Sequence, residues 1–128
     1  MRLLLDTHAF LWWVADDARL SKRARGAIRA RQEACLLSIA SCWEMAVKIS
    51  LGKLTLTSPL DRFVPEQLAV NGFGLLPIAF EHVAHVASLP FHHRDPFDRL
   101  LVSQALADDL GLVSADPIFR KYGVTRVW

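Results

Sequence analysis

At 128 residues the chain is sized for one domain, able to bury roughly two thirds of its unfolded surface in a core of its own. With 15 Lys and Arg against 13 Asp and Glu, overall charge demands neither a nucleic acid nor a membrane, so any such partner must be read from how charge is distributed. No apolar run is long enough to span a bilayer, Asp6 and His8 interrupt what would otherwise resemble a signal peptide, and Cys35 and Cys42 lack metal-site spacing; a cytoplasmic protein with free, buried thiols is expected.

The first element is Leu3-Leu4-Leu5, apolar without alternation and too short for a helix, which reads as a strand buried on both faces of a parallel sheet. It ends on Asp6, where open α/β sheets place their ligands, although the same residue also suits the N-cap of a following helix. Residues 9–15 form that helix, stopped by Asp16 and Asp17, with Phe10, Trp13 and Val14 on one face and Leu11 and Trp12 pointing elsewhere. Ser21 opens a second helix that runs to about Gln32, with Leu20, Ala24, Ala27 and Ile28 inward. From Arg19 to Gln32 this stretch carries Arg19, Lys22, Arg23, Arg25, Arg29 and Arg31 and no acid. Its charged face is either plainly solvated or in contact with phosphates, with Lys22, Arg25 and Arg29 as the candidates.

Residues 35–38 read as a second strand and 40–49 as an apolar helix interrupted by one acid, Glu44. Two local explanations exist for it, a capping box with Ser41 or an i,i+4 pair with Lys48, and each stabilises by only about 1 kcal/mol or less. Ser58-Pro59 opens a further helix, punctuated by Pro65 and closed by Asn71-Gly72, and residues 75–78 form a third strand. His82 and His85 flank a core stripe of Val83, Val86 and Ala87, and neither they nor His92-His93 show a fixed metal-ligand spacing. Asp95 at N-cap and Pro96 at N1 open the clearest helix of the chain, with Asp98 in its first turn, where a carboxylate also offsets the helix dipole. Residues 112–115 are a fourth strand followed directly by Asp116, and residues 124–127 a fifth.

Strand and helix alternate throughout, without repeat or linker. This implies a single domain over residues 1–128, a three-layer α/β/α arrangement around a central, mostly parallel sheet of four or five strands. Asp6 and Asp116 then share one sheet edge, and Glu44 and Asp98 can reach it from helices that start there. Clustered carboxylates repel one another, a pair about 4 Å apart by about 4 kcal/mol at an effective dielectric of about 20, and need a cation. Oxygen-only ligands suit Mg²⁺ or Mn²⁺, whose usual work is phosphoryl chemistry.

Together, LLLDTHAFLWW, SIASCWEMAVKISLGKL, HHRDPFDRLLVSQA and LVSADPIF closely resemble a PIN-domain ribonuclease of the VapC toxin type, over nearly the whole chain. The resemblance implies a Mg²⁺- or Mn²⁺-dependent endoribonuclease that hydrolyses RNA phosphodiester bonds with metal-activated water, inhibition by a cognate VapB-like antitoxin, and a homodimer. Position by position it implies Asp6, Glu44, Asp98 and Asp116 as the catalytic, metal-binding acids and Thr7 and Ser114 as supporting hydroxyls, and it leaves Asp95 as a helix cap. With 52% hydrophobic residues in so small a chain, an exposed apolar patch is expected, and the resemblance implies an antitoxin segment docked beside the first helix at Leu11 and Trp12. Two other classes remain. An aspartyl-nucleophile phosphatase would want a second Asp where His8 stands, and a non-catalytic RNA-binding or scaffold module would use the basic stretch 19–31 and keep the acids as caps.

Overall fold

A computed structural model describes residues 1–128. Five strands, β1 (Leu3–Leu5), β2 (Cys35–Ser38), β3 (Gly74–Leu76), β4 (Gly111–Val113) and β5 (Arg126–Val127), form one sheet in the order β3-β2-β1-β4-β5. Every pairing is parallel, with Leu3 opposite Cys35 on one side and Gly111 on the other. Six helices, α1 (Thr7–Val14), α2 (Lys22–Ala30), α3 (Ile39–Ser50), α4 (Leu60–Asn71), α5 (Phe80–Val86) and α6 (Pro96–Asp108), flank it, with 3-10 turns at Gln32–Ala34 and Pro117–Tyr122. This is the three-layer α/β/α architecture expected of the strand and helix alternation.

The leucine run explains the layering. Successive strand residues point to opposite faces. Leu3 and Leu5 accordingly enter one core with Phe10, Ala24, Ile28, Phe63 and Val64 from α1, α2 and α4. Leu4 enters the other with Leu100, Leu101 and Ala105 of α6 and with Phe119. All three leucines are essentially inaccessible to solvent. Helix α3 stands between the layers, giving Met45 to the first core and Ala40 to the second.

Strand order reverses on either side of β1. The chain builds outward through β2 and β3, then returns to β1's other side for β4 and β5. Such a switch opens a crevice beyond the carboxyl ends of the strands on either side of it, here β1 and β4. Helices α1, α3 and α6 all begin at that edge.

Several boundaries differ from the sequence expectation. Helix α1 starts at Thr7, because Asp6 caps it, and α3 starts at Ile39, because the Ser38 hydroxyl accepts the Ala40 amide at 2.9 Å. Ser38 takes the cap assigned to Ser41, so the capping box with Glu44 does not form; Ser41 is buried within the helix. Strand β3 begins at Gly74 and stops before Pro77, which has no amide to continue the ladder. Strands β4 and β5 are likewise shorter than expected. In α5 the inward residue is His82, 3% exposed, while Val83 is 52% exposed. His82 turns inward because its Nδ1 accepts the Ala79 amide at 3.0 Å, closing the first turn of α5.

Phe10 ties α1 to α4 and to the approach to β3, lying edge-on to Phe63 with ring centres 6.4 Å apart and the same distance from Phe73. Truncating a fully buried aromatic removes its transfer free energy and leaves a cavity. Phe10→Ala should therefore lower unfolding free energy by about 3–5 kcal/mol, read from urea denaturation followed by circular dichroism.

Candidate active site

Asp6 is delivered to the crevice by backbone pairing. Its amide donates to the Val113 carbonyl at 3.0 Å, extending the β1–β4 ladder by one bond, and Oδ1 accepts the Ala9 amide at 2.7 Å. The residue is thus both the cap of α1 and the acid at the switch point, and the two readings of the sequence do not compete. Burial raises its pKa, with the Glu44 charge adding to the rise, against lowering contributions from the Ser114 hydroxyl, the Ala9 amide and His8.

Glu44 comes in on the second turn of α3 and is buried. Thr7 Oγ1 donates to its Oε1 at 2.7 Å, and Lys48 Nζ lies 2.7 Å from its Oε2, the i,i+4 pair seen in the sequence. Both oxygens therefore have a partner. Asp98 comes from the first turn of α6, its amide donating to Oδ1 of the N-cap Asp95 at 2.9 Å. Burial lifts its pKa to about 7, and the charges of Asp95, Asp6, Glu44 and Asp116 add to the rise in that order. Asp116 follows β4 on the exposed rim, where its Oδ1 accepts the Ile118 amide at 2.9 Å and its own amide donates to Ser114 Oγ at 3.1 Å. Ser114 is buried between Asp6 and Asp116.

Four carboxylates from distant points of the chain thus share one electrostatic neighbourhood. As placed, no three of them come near enough together to enclose one ion. The donor set is nonetheless one that a hard divalent cation fits: it is all oxygen, Lys48 is the one ammonium paired with it, and burial raises Asp6 and Asp98, with neighbouring carboxylates adding to the rise.

The other candidates lie elsewhere. In α2, Arg25 is engaged, its Nη1 2.7 Å from Asp16 Oδ1 and its Nη2 donating to the Asp17 carbonyl at 2.9 Å. Lys22 and Arg29 are exposed, and Arg29 lies at the end of α2 that leads into the start of β2, away from the acids. Leu11 and Trp12 are half-buried along a groove of about 640 Å³ between α1, the 53–57 segment and α4. The Trp12 ring stacks on His8 at 5.5 Å, meets Trp128 at 5.9 Å and carries the Arg19 guanidinium at 5.1 Å.

One residue at the crevice escaped the sequence reading. His93 Nε2 lies 3.2 Å from Asp98 Oδ2, and its Nδ1 lies 2.7 Å from the Tyr122 hydroxyl. The signal available was its position five residues before Asp98, which a search for histidine-only metal spacings passes over.

A family model described as PIN domain matches residues 3–124. In sequence the chain is 33% identical over 132 residues to Ribonuclease VapC22 of Mycobacterium tuberculosis, across 98% of each protein. In fold it is similar to a chain of VapBC2 from Rickettsia felis, solved bound to a DNA fragment from their promoter, with a TM-score of 0.72, 12% identity and coverage of 98% of this chain and 97% of that one. It is also similar to a chain of a toxin-antitoxin complex from Klebsiella pneumoniae, with a TM-score of 0.59, 16% identity and coverage of 89% and 86%. At such identities the likeness of structures is one of fold.

The Asp98 shift gives a pH test of the acid cluster. With a folded-state value of about 7 against 3.8 when exposed, Asp98 holds a proton in the native protein that the unfolded chain has already released. Native stability should therefore fall as pH rises through that window. Asp98→Asn, which stays neutral, should match the parent near about pH 4 and exceed it at about pH 8 when both are melted in urea with EDTA. A stability difference that does not change with pH would show that burial and the neighbouring carboxylates do not raise Asp98 in the folded protein.

Proposed function

This chain belongs to the PIN domain family, as a VapC-type ribonuclease, and on that premise we propose that it is a divalent-cation-dependent endoribonuclease held inactive by a VapB-like antitoxin. The observation that carries the reading is the convergence of Asp6, Glu44, Asp98 and Asp116 on one crevice, with Asp98 pushed up to about 7 partly by the other three. Caps alone give no reason for acids so far apart in the chain to sit within range of one another's charge. The relative that is one-third identical across the whole chain bears the name of a ribonuclease. The proposal treats residues 1–128 as one catalytic domain.

In this proposal Asp6, Asp98 and Asp116 offer carboxylate oxygens to Mg²⁺ or Mn²⁺. Glu44, with both oxygens held by Thr7 and Lys48, acts on the cation through an intervening water or frees one oxygen for direct contact. A cation held there would supply an activated water for in-line attack and shield charge on the scissile phosphate. Thr7 orients Glu44, and Ser114 braces Asp6 and Asp116 from between them. Cleavage by this route leaves a 5′-phosphate and a 3′-hydroxyl. Lys22, Arg25 and Arg29 would contact phosphates of flanking RNA, at some distance from the bond that is cut.

A VapB-like segment is proposed to occupy the groove lined by Leu11 and Trp12, whose half-buried apolar side chains offer hydrophobic contact to an apolar peptide face. Homodimerisation is part of the same proposal. The solved toxin-antitoxin neighbour supports the partner class.

Two measurements check this reading. Asp6→Asn should fold normally yet cut RNA at least about a hundredfold more slowly, a loss of about 2.7 kcal/mol, and EDTA should stop the parent protein while Mg²⁺ or Mn²⁺ restores it. RNA binding without any cation-dependent cleavage by the parent would favour the non-catalytic module instead. Trp12→Ala should keep the fold while losing at least about 2 kcal/mol of antitoxin affinity in titration calorimetry, the threshold for an interface hot spot. Unchanged affinity in a folded variant would move the antitoxin to another face.

A further inference from the structure

The side chains behind Asp98 form a chain of hydrogen bonds that ends on the crevice. Arg99, the next residue on α6, is buried, and its guanidinium donates to the Pro90 carbonyl at 2.8 Å and to the Val86 and Leu89 carbonyls at 3.2 Å each. It thereby pins the segment that leads from α5 to His93. The same guanidinium donates to the Tyr122 hydroxyl at 3.3 Å, as does the His93 backbone amide at 3.3 Å.

These contacts determine which His93 nitrogen carries the proton. A tyrosine hydroxyl has one proton and two lone pairs. Two N–H groups that can only donate already point at the Tyr122 oxygen, so its own proton is what remains for His93 Nδ1, 2.7 Å away. Nδ1 accepts, and the ring proton of the neutral imidazole sits on Nε2. Nε2 then donates to Asp98 Oδ2 at 3.2 Å, while Phe119 lies edge-on to the ring with centres 6.0 Å apart and limits its rotation.

We propose that His93, with its tautomer set by Tyr122 and Arg99, is a positioning residue that ties down Asp98 Oδ2 and leaves Oδ1 to face the cation. The assignment rests on the reading of Asp98 as a ligand. Partners behind a metal-binding side chain fix its orientation, and their loss typically weakens metal binding by about 10–100-fold.

The test measures Mn²⁺ binding to the purified protein by titration calorimetry without RNA, beside thermal melts in EDTA. His93→Ala should weaken binding by about 10-fold or more, and His93→Gln, which restores an N–H donor near the Nε2 position, by less than about threefold. Tyr122→Phe touches no proposed ligand and should still weaken Mn²⁺ binding several-fold; it carries the test if His93→Ala fails to fold. Ring ¹⁵N shifts should show the Nε2–H tautomer of His93 in the parent and a mixture in Tyr122→Phe, a change that loss of packing alone would not produce. An Nδ1–H tautomer in the parent, or Mn²⁺ affinity within about twofold of the parent in folded His93→Ala or Tyr122→Phe while Asp98→Asn has lost it, would overturn the assignment and leave the reading of the crevice standing. Mn²⁺ binding retained by Asp98→Asn would overturn both.

Discussion

Holding buried carboxylates at one sheet edge, within range of one another's charge, is the constraint around which this chain is arranged. Asp6, Glu44, Asp98 and Asp116 arrive from four different elements, and each is held in place. Asp6 is fixed by the strand ladder beneath it and by the α1 amide it caps, Glu44 by Thr7 and Lys48, Asp98 by the first turn of α6, and Asp116 by its own short turn. The stability needed to hold them comes from the two apolar layers on either face of β1. Charge held together at such cost is the usual mark of a functional site.

Several of these residues serve two purposes at once. Asp6 and Ser38 each end a strand and cap the helix that follows, and Asp116, a short step beyond β4, caps the 3-10 turn after it, so the junctions that end the sheet also aim side chains beyond it. This economy explains why the local readings were so persuasive. A cap is worth about 1 kcal/mol, enough to justify an Asp at a helix start without reference to anything distant. Only the coincidence of several such positions at one sheet edge separates a site from a set of caps.

Much of the fold was legible because its signals are local and redundant. The Leu3–Leu5 run, the Asp95-Pro96 start of α6 and the Asn71-Gly72 stop of α4, where Gly72 takes a φ of +70°, each state an element's type or its end directly. The misses have physical causes. Ser38 and Ser41 are equally good caps by composition, and what selects Ser38 is the pairing of β2 with its neighbours, which ends the strand there. His82 turns inward because its ring nitrogen caps α5, an option that hydrophobic periodicity does not register. The acids were legible from their types, their strand-end or first-turn positions and the family resemblance. The hydrogen-bond chain from Arg99 through Tyr122 to His93 was not, since it depends on packing between α6 and the turn after β4.

The position of β1 also bears on synthesis. It is the central strand of the sheet, and its pairing with β4 sets Leu3 opposite Gly111, two segments far apart in the chain. β2 follows it in the chain and can join it early, but its other edge has no partner until β4 has been made. The crevice between β1 and β4 is therefore among the last features to form, and long-range parallel pairing of this kind is slow. A nascent chain therefore carries Asp6 without the neighbours that line the crevice until synthesis has passed β4, so the fold itself delays the appearance of a finished crevice.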